Sequence, residues 1–451
     1  MTYQSIVPYT SVFIDADWKD FAHAARECVV QSGDRKSLIK EIEKMWTNDQ
    51  NPNFVLPCLS VRSGLDLYLK VKQFPAGSEV IMSAINIPDM VQIVRHHGLR
   101  ILSLDIDLET TSPKIELLES LISKKTVAIL LAHIYGKLFD MEPFVCVAKR
   151  HGLCIIEDCA EGFAGLQYLG HPKSDISLFS FGVIKFYTAF GGAILKIRSE
   201  DIFSKMHQQQ NRQSVQSNRA FLQKVIKYSF IYVLLNCPRF IKPGMYLTRA
   251  VGLDHQQLVV KMLRGFPEDL ISRIQYRPST PLLHMMCKRV QGFSEADFNL
   301  SRMKGEYVSQ RLPENITIVG VKAEVNNYWL YPIIVNNPDS FVRTLNSLGV
   351  DAYRGATQLN IIEPDNGNDD LYMKYLTSPN VMHHYPHEAK YLIDHVVYLP
   401  INKTVPFCEL DRICAAVQKA MMLEGKDGTK ISVKLQGKDG AKINLKLQSK
   451  L

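Results

Sequence analysis

The residues of this chain whose types and spacing suit chemistry gather between His133 and Leu195, and the most telling of them is Lys185. Two apolar runs in this stretch end in small or charged residues, as buried parallel strands do where they stop at a ligand. The run CIIED closes on Glu157 and Asp158; the run ISLFS closes on Ser180, five residues before Lys185, with Gly191 and Gly192 opening the next strand. A lysine amine carries an aldehyde carbon as a Schiff base, and a buried acid keeps a pyridine nitrogen protonated. An acid at one strand end and a lysine at another therefore suit a pyridinium ring. Taken singly, the same residues also suit structural roles, because Asp ends many strands and most lysines are solvated.

The wording of the whole stretch narrows the choice. HIYG (His133–Gly136), the AKRHGL and IIEDCAE runs (Ala148–Glu161), SFGVIK (Ser180–Lys185) and FGG (Phe190–Gly192) resemble the motifs of the DegT/DnrJ/EryC1/StrS family of PLP-dependent sugar aminotransferases, of aspartate-aminotransferase fold type I. HIYG alone is a weak signal, whereas IIEDCAE followed by SFxxxK and a GG strand is specific. The resemblance runs from about Val55 to Met421, leaving out a segment near 205–265 and the tail. It implies an α/β fold: a large domain with a mostly parallel central sheet flanked by helices, plus a smaller C-terminal α/β domain. It implies pyridoxal 5′-phosphate as cofactor, with Lys185 forming the Schiff base and moving the proton, and Asp158 keeping the ring nitrogen protonated. The implied reaction is ping-pong transfer of an amino group from an amino acid, glutamate by analogy, to a keto-sugar nucleotide in polysaccharide biosynthesis. Lys185 also sets the chain apart from the family's dehydratase branch, which lacks that lysine.

The helix opening at Ser63 and Gly64 suits the cofactor's phosphate, and the same resemblance assigns that phosphate to Ser180 and to Gln275 of the QYR run (Gln275–Arg277), which would reach it from a partner subunit. That last assignment makes the protein a homodimer with a shared active site. A helix N-terminus offers an anion its free N–H groups and dipole, although an ordinary N-cap serine explains Ser63 as well. Four positions depart from the family. Arg62 and Ser63 stand for its Gly-Thr pair, and the Arg62 cation itself suits phosphate. Asn86 stands where the family stacks an aromatic ring on the pyridine. Glu161 stands where a Gln or His usually faces the ring hydroxyl, and a carboxylate there calls for a proton or a turned side chain. Gln275 stands for Asn. His133 is either a support behind Asp158 or a packed core histidine. Arg354 and His383–His384 read as the substrate mouth or as solvated surface.

The elements that must position these residues alternate. VLPCLSV reads as a strand, SGLDLYLKVKQF as a helix, EVIMSA as a strand, PDMVQIVRHHG as a helix and LRILSLDI as a strand. Alternation of this kind implies right-handed βαβ units. Residues 1–50 form an N-terminal helical segment, 51–200 the large cofactor-binding domain, 201–270 a helical apolar insertion, 271–313 a helical connection, 314–424 the small domain and 425–451 a basic repeat tail. The apolar run KVIKYSFIYVLLNCPRFIKPGMYL is too short to cross a bilayer and is interrupted by Pro238. It is open to three readings: a segment packed on the protein's own surface, a dimer contact, or an interfacial membrane helix. The tail repeats GKDGTKISVKLQ as GKDGAKINLKLQ and reads as a hairpin, an edge strand or a flexible basic appendage.

Bulk properties exclude several classes. A chain of 451 residues with 46% hydrophobic and 22% charged residues is ordinary globular material with ample core. Seven Lys and two Asp in the tail account for +5 of the net +8, and the remaining +3 argues against a broad nucleic-acid-binding surface. Nine scattered cysteines without a CxxC pair point to a reducing, cytoplasmic compartment and no metal site. The N-terminus lacks the basic region and apolar core of a signal peptide. The departures also leave open a second reading, a catalytically altered family member acting as a membrane-associated or complex-forming partner in glycan biosynthesis.

Overall fold

The computed structural model of the chain describes residues 9–30, 32–236, 269–365 and 385–426. The strands that carry the site are β1 (Phe54–Cys58), β2 (Glu79–Ser83), the short β3 (Ile85–Asn86), β4 (Arg100–Leu104), β5 (Thr126–Ala132), the short β6 (Lys137–Leu138), β7 (Cys154–Cys159), β8 (Ile176–Ser180) and β9 (Ala193–Ile197). Seven of them form one sheet in the order β1-β9-β8-β7-β5-β2-β4. β4, β2, β5, β7 and β8 run parallel, whereas β9 is antiparallel to both β8 and β1. Every strand but β9 therefore points the same way, and the C-terminal ends of the parallel strands meet at one edge, where α/β sheets bind ligands.

Alternation along the strands sorts the core into two layers. Ala128 and Leu130 of β5 pack with the helices α3 (Val61–Lys72) and α4 (Pro88–His96). Their neighbours Ile129 and Leu131 pack on the opposite face with α5 (Ile115–Leu121) and α6 (Glu142–His151). Both faces are covered, which is why these strands read as continuous apolar runs rather than alternating ones. The N-terminal helices α1 (Trp18–Val30) and α2 (Arg35–Met45) pack with the helix Thr280–Gln291 against the β8–β9 side, where Phe179 and Ile194 are buried. Lys196 of β9 is buried and its ammonium donates to the carbonyls of Trp46, Asn51 and Asn53, pinning the end of α2 to the sheet.

Beyond β9 come α7 (Glu200–Asn211) and α8 (Asn218–Asn236). The described part of the apolar run is α8, and it packs on its own chain: Phe221, Val225, Ile231 and Leu235 are buried, and Tyr232 meets Trp18 and Phe21 of α1 at ring distances of 5.1 Å. Ile226 and Phe230 face solvent. Residues 237–268, with Pro238, lie outside the described residues, and no described helix is long and apolar enough to cross a membrane. A second, antiparallel sheet joins Thr317–Ile318, Tyr331–Ile334 and Val396–Leu399. The helices Pro338–Ser347 and Phe407–Lys426 pack with it around Phe341, Leu345, Leu410 and Val417. Arg354 stands on the flank of this part, held by the Asp339 carboxylate at 2.8 Å and the Asp394 carbonyl at 2.7 Å, away from the cleft described below. His383, His384 and the repeat tail lie outside the described residues.

Candidate active site

A cleft opens where β1, β2, β5, β7 and β8 end. β7 delivers Asp158 to it, and the turn after β8 delivers Lys185. The Asp158 carboxylate is buried; one oxygen accepts the Ala160 N–H at 3.0 Å and the other the Asn86 amide at 3.2 Å. Burial pushes this carboxyl up from its ordinary range, and the nearby Glu161 charge adds to the rise, outweighing the pull of the Ala160 and Asn86 donors and of Lys185. Asn86, on β3, thus faces the acid.

The Lys185 turn is fixed by backbone. Phe181 donates to Gly192 O and Gly191 donates back to Phe181 O, both at 3.0 Å, and the Lys185 N–H closes on Gly182 O at 3.0 Å. Gly192 takes φ +87° with Met286 packed against its Cα, a place no side chain fits without displacement. The Lys185 ammonium donates to Glu161 Oε1 at 2.8 Å and lies 4.6 Å from the centre of the Trp329 ring. The Trp329 indole N–H donates to the Ile184 carbonyl. Glu161 Oε2 accepts the Tyr135 N–H at 2.9 Å. The carboxylate at position 161 is therefore balanced by the lysine and a backbone donor.

Several expected placements change. α3 begins at Val61, not at Ser63, because Ser60 is its N-cap and accepts the Ser63 N–H at 3.2 Å. Ser60 and Arg62 consequently line the cleft. Ser63 turns its hydroxyl to Ser60 at 2.9 Å, and Gly64 lies under β9, where a Cβ would come within 2.6 Å of Leu195. Arg62 pairs with Asp89 at 2.5 Å and donates to Gln358 at 3.3 Å, so its cation is already engaged. His133 is not a side-chain partner of Asp158. Its ring nitrogen lies 3.2 Å from Glu157, which strand alternation aims at the opposite face, and only its backbone N–H reaches the Asp158 carbonyl.

Glu157 also accepts from the hydroxyls of Tyr168, Ser174 and Ser177. Burial alone would raise this carboxyl, but the His133, Ser177 and Tyr168 hydrogen bonds hold it down at about 2. The Cys159 thiol donates to the same group at 3.4 Å, so the possible metal ligands His133, Glu157 and Cys159 satisfy one another. Gln275 donates to Asp66 on the flank of α3 at 3.3 Å and does not line its own chain's cleft.

Ser180 lines the cleft. Sequence reasoning passed over Ser60, whose spacing to Ser63 before an apolar helix is an N-cap signal. It also passed over Trp329, Gln358, Lys224 and Tyr228, which come from distant segments and carry no local motif.

Residues 23–231 match the profile of the DegT/DnrJ/EryC1/StrS aminotransferase family. A GDP-perosamine synthase of Caulobacter vibrioides is 27% identical over 247 residues, which cover 54% of this chain and 64% of that protein. The chain thus spans somewhat under two thirds of this curated relative's length. Among solved structures, Helicobacter pylori PseC, an aminotransferase involved in the biosynthesis of pseudoaminic acid, superposes with a TM-score of 0.64 at 15% identity, over 92% of this chain and 99% of that one. The Escherichia coli GDP-4-keto-6-deoxy-D-mannose-3-dehydratase with bound hydrated PLP gives a TM-score of 0.62 at 13% identity, over 91% and 99%. At these identities the likeness establishes the fold, which is that of the PLP-dependent aminotransferases.

Proposed function

We propose, from the match of residues 23–231 to the DegT/DnrJ/EryC1/StrS aminotransferase family, that the protein is a PLP-dependent aminotransferase moving an amino group from an amino acid, glutamate in our reading, to a keto-sugar nucleotide. The observation that carries the reading is the meeting of Lys185 and the buried Asp158 in one cleft at the strand ends. The donor set fits pyridoxal phosphate. An amine faces the cleft, a buried acid lies beside it, and the hydroxyls of Ser60 and Ser180 stand with the N-terminus of α3 at the rim. When bound, pyridoxal phosphate supplies an aldehyde for the amine and a ring that takes up an electron pair.

The chain's own residues do the rest. Lys185 reacts only once its ammonium has lost a proton, and Glu161 Oε1, at 2.8 Å, is the acceptor in place. Asp158, held by Ala160 and Asn86, would face the ring nitrogen and supply the acid that keeps it protonated. Ser60, Ser180 and the first turn of α3 would hold the phosphate. Trp329 covers the Lys185 amine on one side. The relative named GDP-perosamine synthase supports a nucleotide-linked sugar as acceptor. A cytoplasmic homodimer with a shared site belongs to the same proposal; that Gln275 stands off its own chain's cleft is compatible with it.

The test is the visible absorption of the purified protein incubated with pyridoxal phosphate, beside Lys185→Ala. A band that the substitution removes and that L-glutamate bleaches is expected. A folded protein without such a band overturns the reading.

A further inference from the structure

Helix α8 brings to the cleft a cation that none of the motifs above accounts for. Lys224 and Tyr228, one turn apart on α8, line the same cleft as Ser180, Lys185 and Gly191. The helix is anchored there. Tyr232 packs on Phe21 of α1, and Phe21 stacks on Phe190 at 4.5 Å, next to the Gly191–Gly192 turn. The carboxylates that line the cleft are Asp158 and Glu161, and both are engaged: Asp158 by Ala160 and Asn86, Glu161 by Lys185 and Tyr135. Of the other cations lining the cleft, Arg62 is paired with Asp89 and Lys185 with Glu161. Among the described residues Lys224 has no carboxylate partner. Burial pushes its ammonium down from the ordinary lysine range, and Lys227 adds to the fall. A partly buried ammonium without a counter-ion is costly, and an anion entering the cleft relieves that cost.

We propose that Lys224 binds a phosphoryl group of a ligand in the Lys185 cleft, so that α8 adds a phosphate subsite to it. This rests on the aminotransferase reading and adds a specific contact to it. A dianion doubles the attraction that a carboxylate offers a point charge, and the Tyr228 and Ser180 hydroxyls on the same wall supply further donors. Two ligands of that reaction carry the group: the cofactor's phosphate and the diphosphate of a sugar nucleotide.

Binding of pyridoxal phosphate against pyridoxal, and of uridine and guanosine diphosphate against their nucleosides, is titrated on the full chain. The proteins are the wild type, Lys224→Met, Lys224→Arg and, as a control one turn away on the exposed face, Lys227→Met. In Lys224→Met one phosphate-bearing probe weakens by roughly tenfold to a hundredfold, the scale of a charge-assisted hydrogen bond, while its phosphate-free counterpart is unchanged. Lys224→Arg recovers most of the loss and Lys227→Met behaves as wild type. The probe that weakens identifies the source of the phosphate. Unchanged affinity for every phosphate-bearing probe, equal loss for the phosphate-free ones, a loss confined to L-glutamate, or a wild type that binds no phosphate-bearing probe overturns the proposal. A wild type that shows no Lys185-dependent band yet binds a diphosphate through Lys224 sinks the aminotransferase reading and leaves the subsite standing.

Discussion

Removing Glu161 tests the electrostatics of the cleft most directly. Its Oε1 lies 2.8 Å from Lys185 Nζ, with the two side chains 6% and 17% exposed. At an effective dielectric of about 20 the gross attraction at that distance is about 6 kcal/mol, most of it offset by taking both charges out of water. Breaking a fully buried pair from one side costs about 3–5 kcal/mol, and an exposed pair is worth less than about 1. For this partly screened pair we expect Glu161→Ala to lower the unfolding free energy of the cofactor-free protein by about 2–3 kcal/mol. Part of that loss is the Tyr135 N–H left without its acceptor. That part cancels in a double-mutant cycle with Lys185→Ala, which isolates the pair. The cycle should return a coupling of about 1–2 kcal/mol from urea unfolding at pH 7, followed by tryptophan fluorescence. Coupling should shrink in high salt, but only modestly, because buried charges are weakly screened. Additive single and double variants, within about 0.5 kcal/mol, would refute the claim that Lys185 is held by an ion pair.

Two further outcomes are expected. Asp158 has its folded carboxyl raised above the unfolded value, chiefly by burial, so the native state binds more protons and stability falls as pH rises from about 4 toward neutrality. Asp158→Asn removes that dependence; the stability of wild type minus variant, measured without cofactor, should decline across this window, and a flat difference would contradict the assignment. Gly192→Ala places a Cβ 2.5 Å from Met286 Sδ at φ +87°. It should cost about 2–4 kcal/mol in thermal unfolding from backbone strain and overpacking together, and should weaken the Lys185-dependent band, because the same turn positions that lysine. An unperturbed melting curve would refute it.

What the sequence disclosed about the site follows how locally each residue is placed. Asp158 and Lys185 were legible because each lies at or just after the end of a strand, and strand ends in a parallel sheet meet at one edge. The orientation of His133 was harder. Alternation along β7 puts Glu157 and Asp158 on opposite faces, but which one the ring meets depends on the turn after β5, not on any motif. The start of α3 was misplaced by one turn because two serines three residues apart both satisfy the N-cap pattern, and only the observed hydrogen bond separates donor from acceptor. Trp329 and Gln358 could not be found this way. They arrive from the segment beyond residue 314, and their contacts with Ile184 and Arg62 depend on how the two sheets pack.

The departures from the family pattern then acquire a common physical sense. Asn86, in place of a stacking ring, spends its amide on Asp158; Glu161, in place of an amide or imidazole, pairs with Lys185; Arg62, in place of glycine, pairs with Asp89. Each replaces a group suited to facing a cofactor with one that engages a neighbouring side chain. A cleft assembled this way is organised before any ligand enters. The Lys185–Glu161 pair is the one of these three interactions that involves the amine of the proposed Schiff base. Among the described residues Lys224 is a cation on the wall without a carboxylate partner, so α8 contributes charge to a cleft whose Lys185 and Arg62 are already paired.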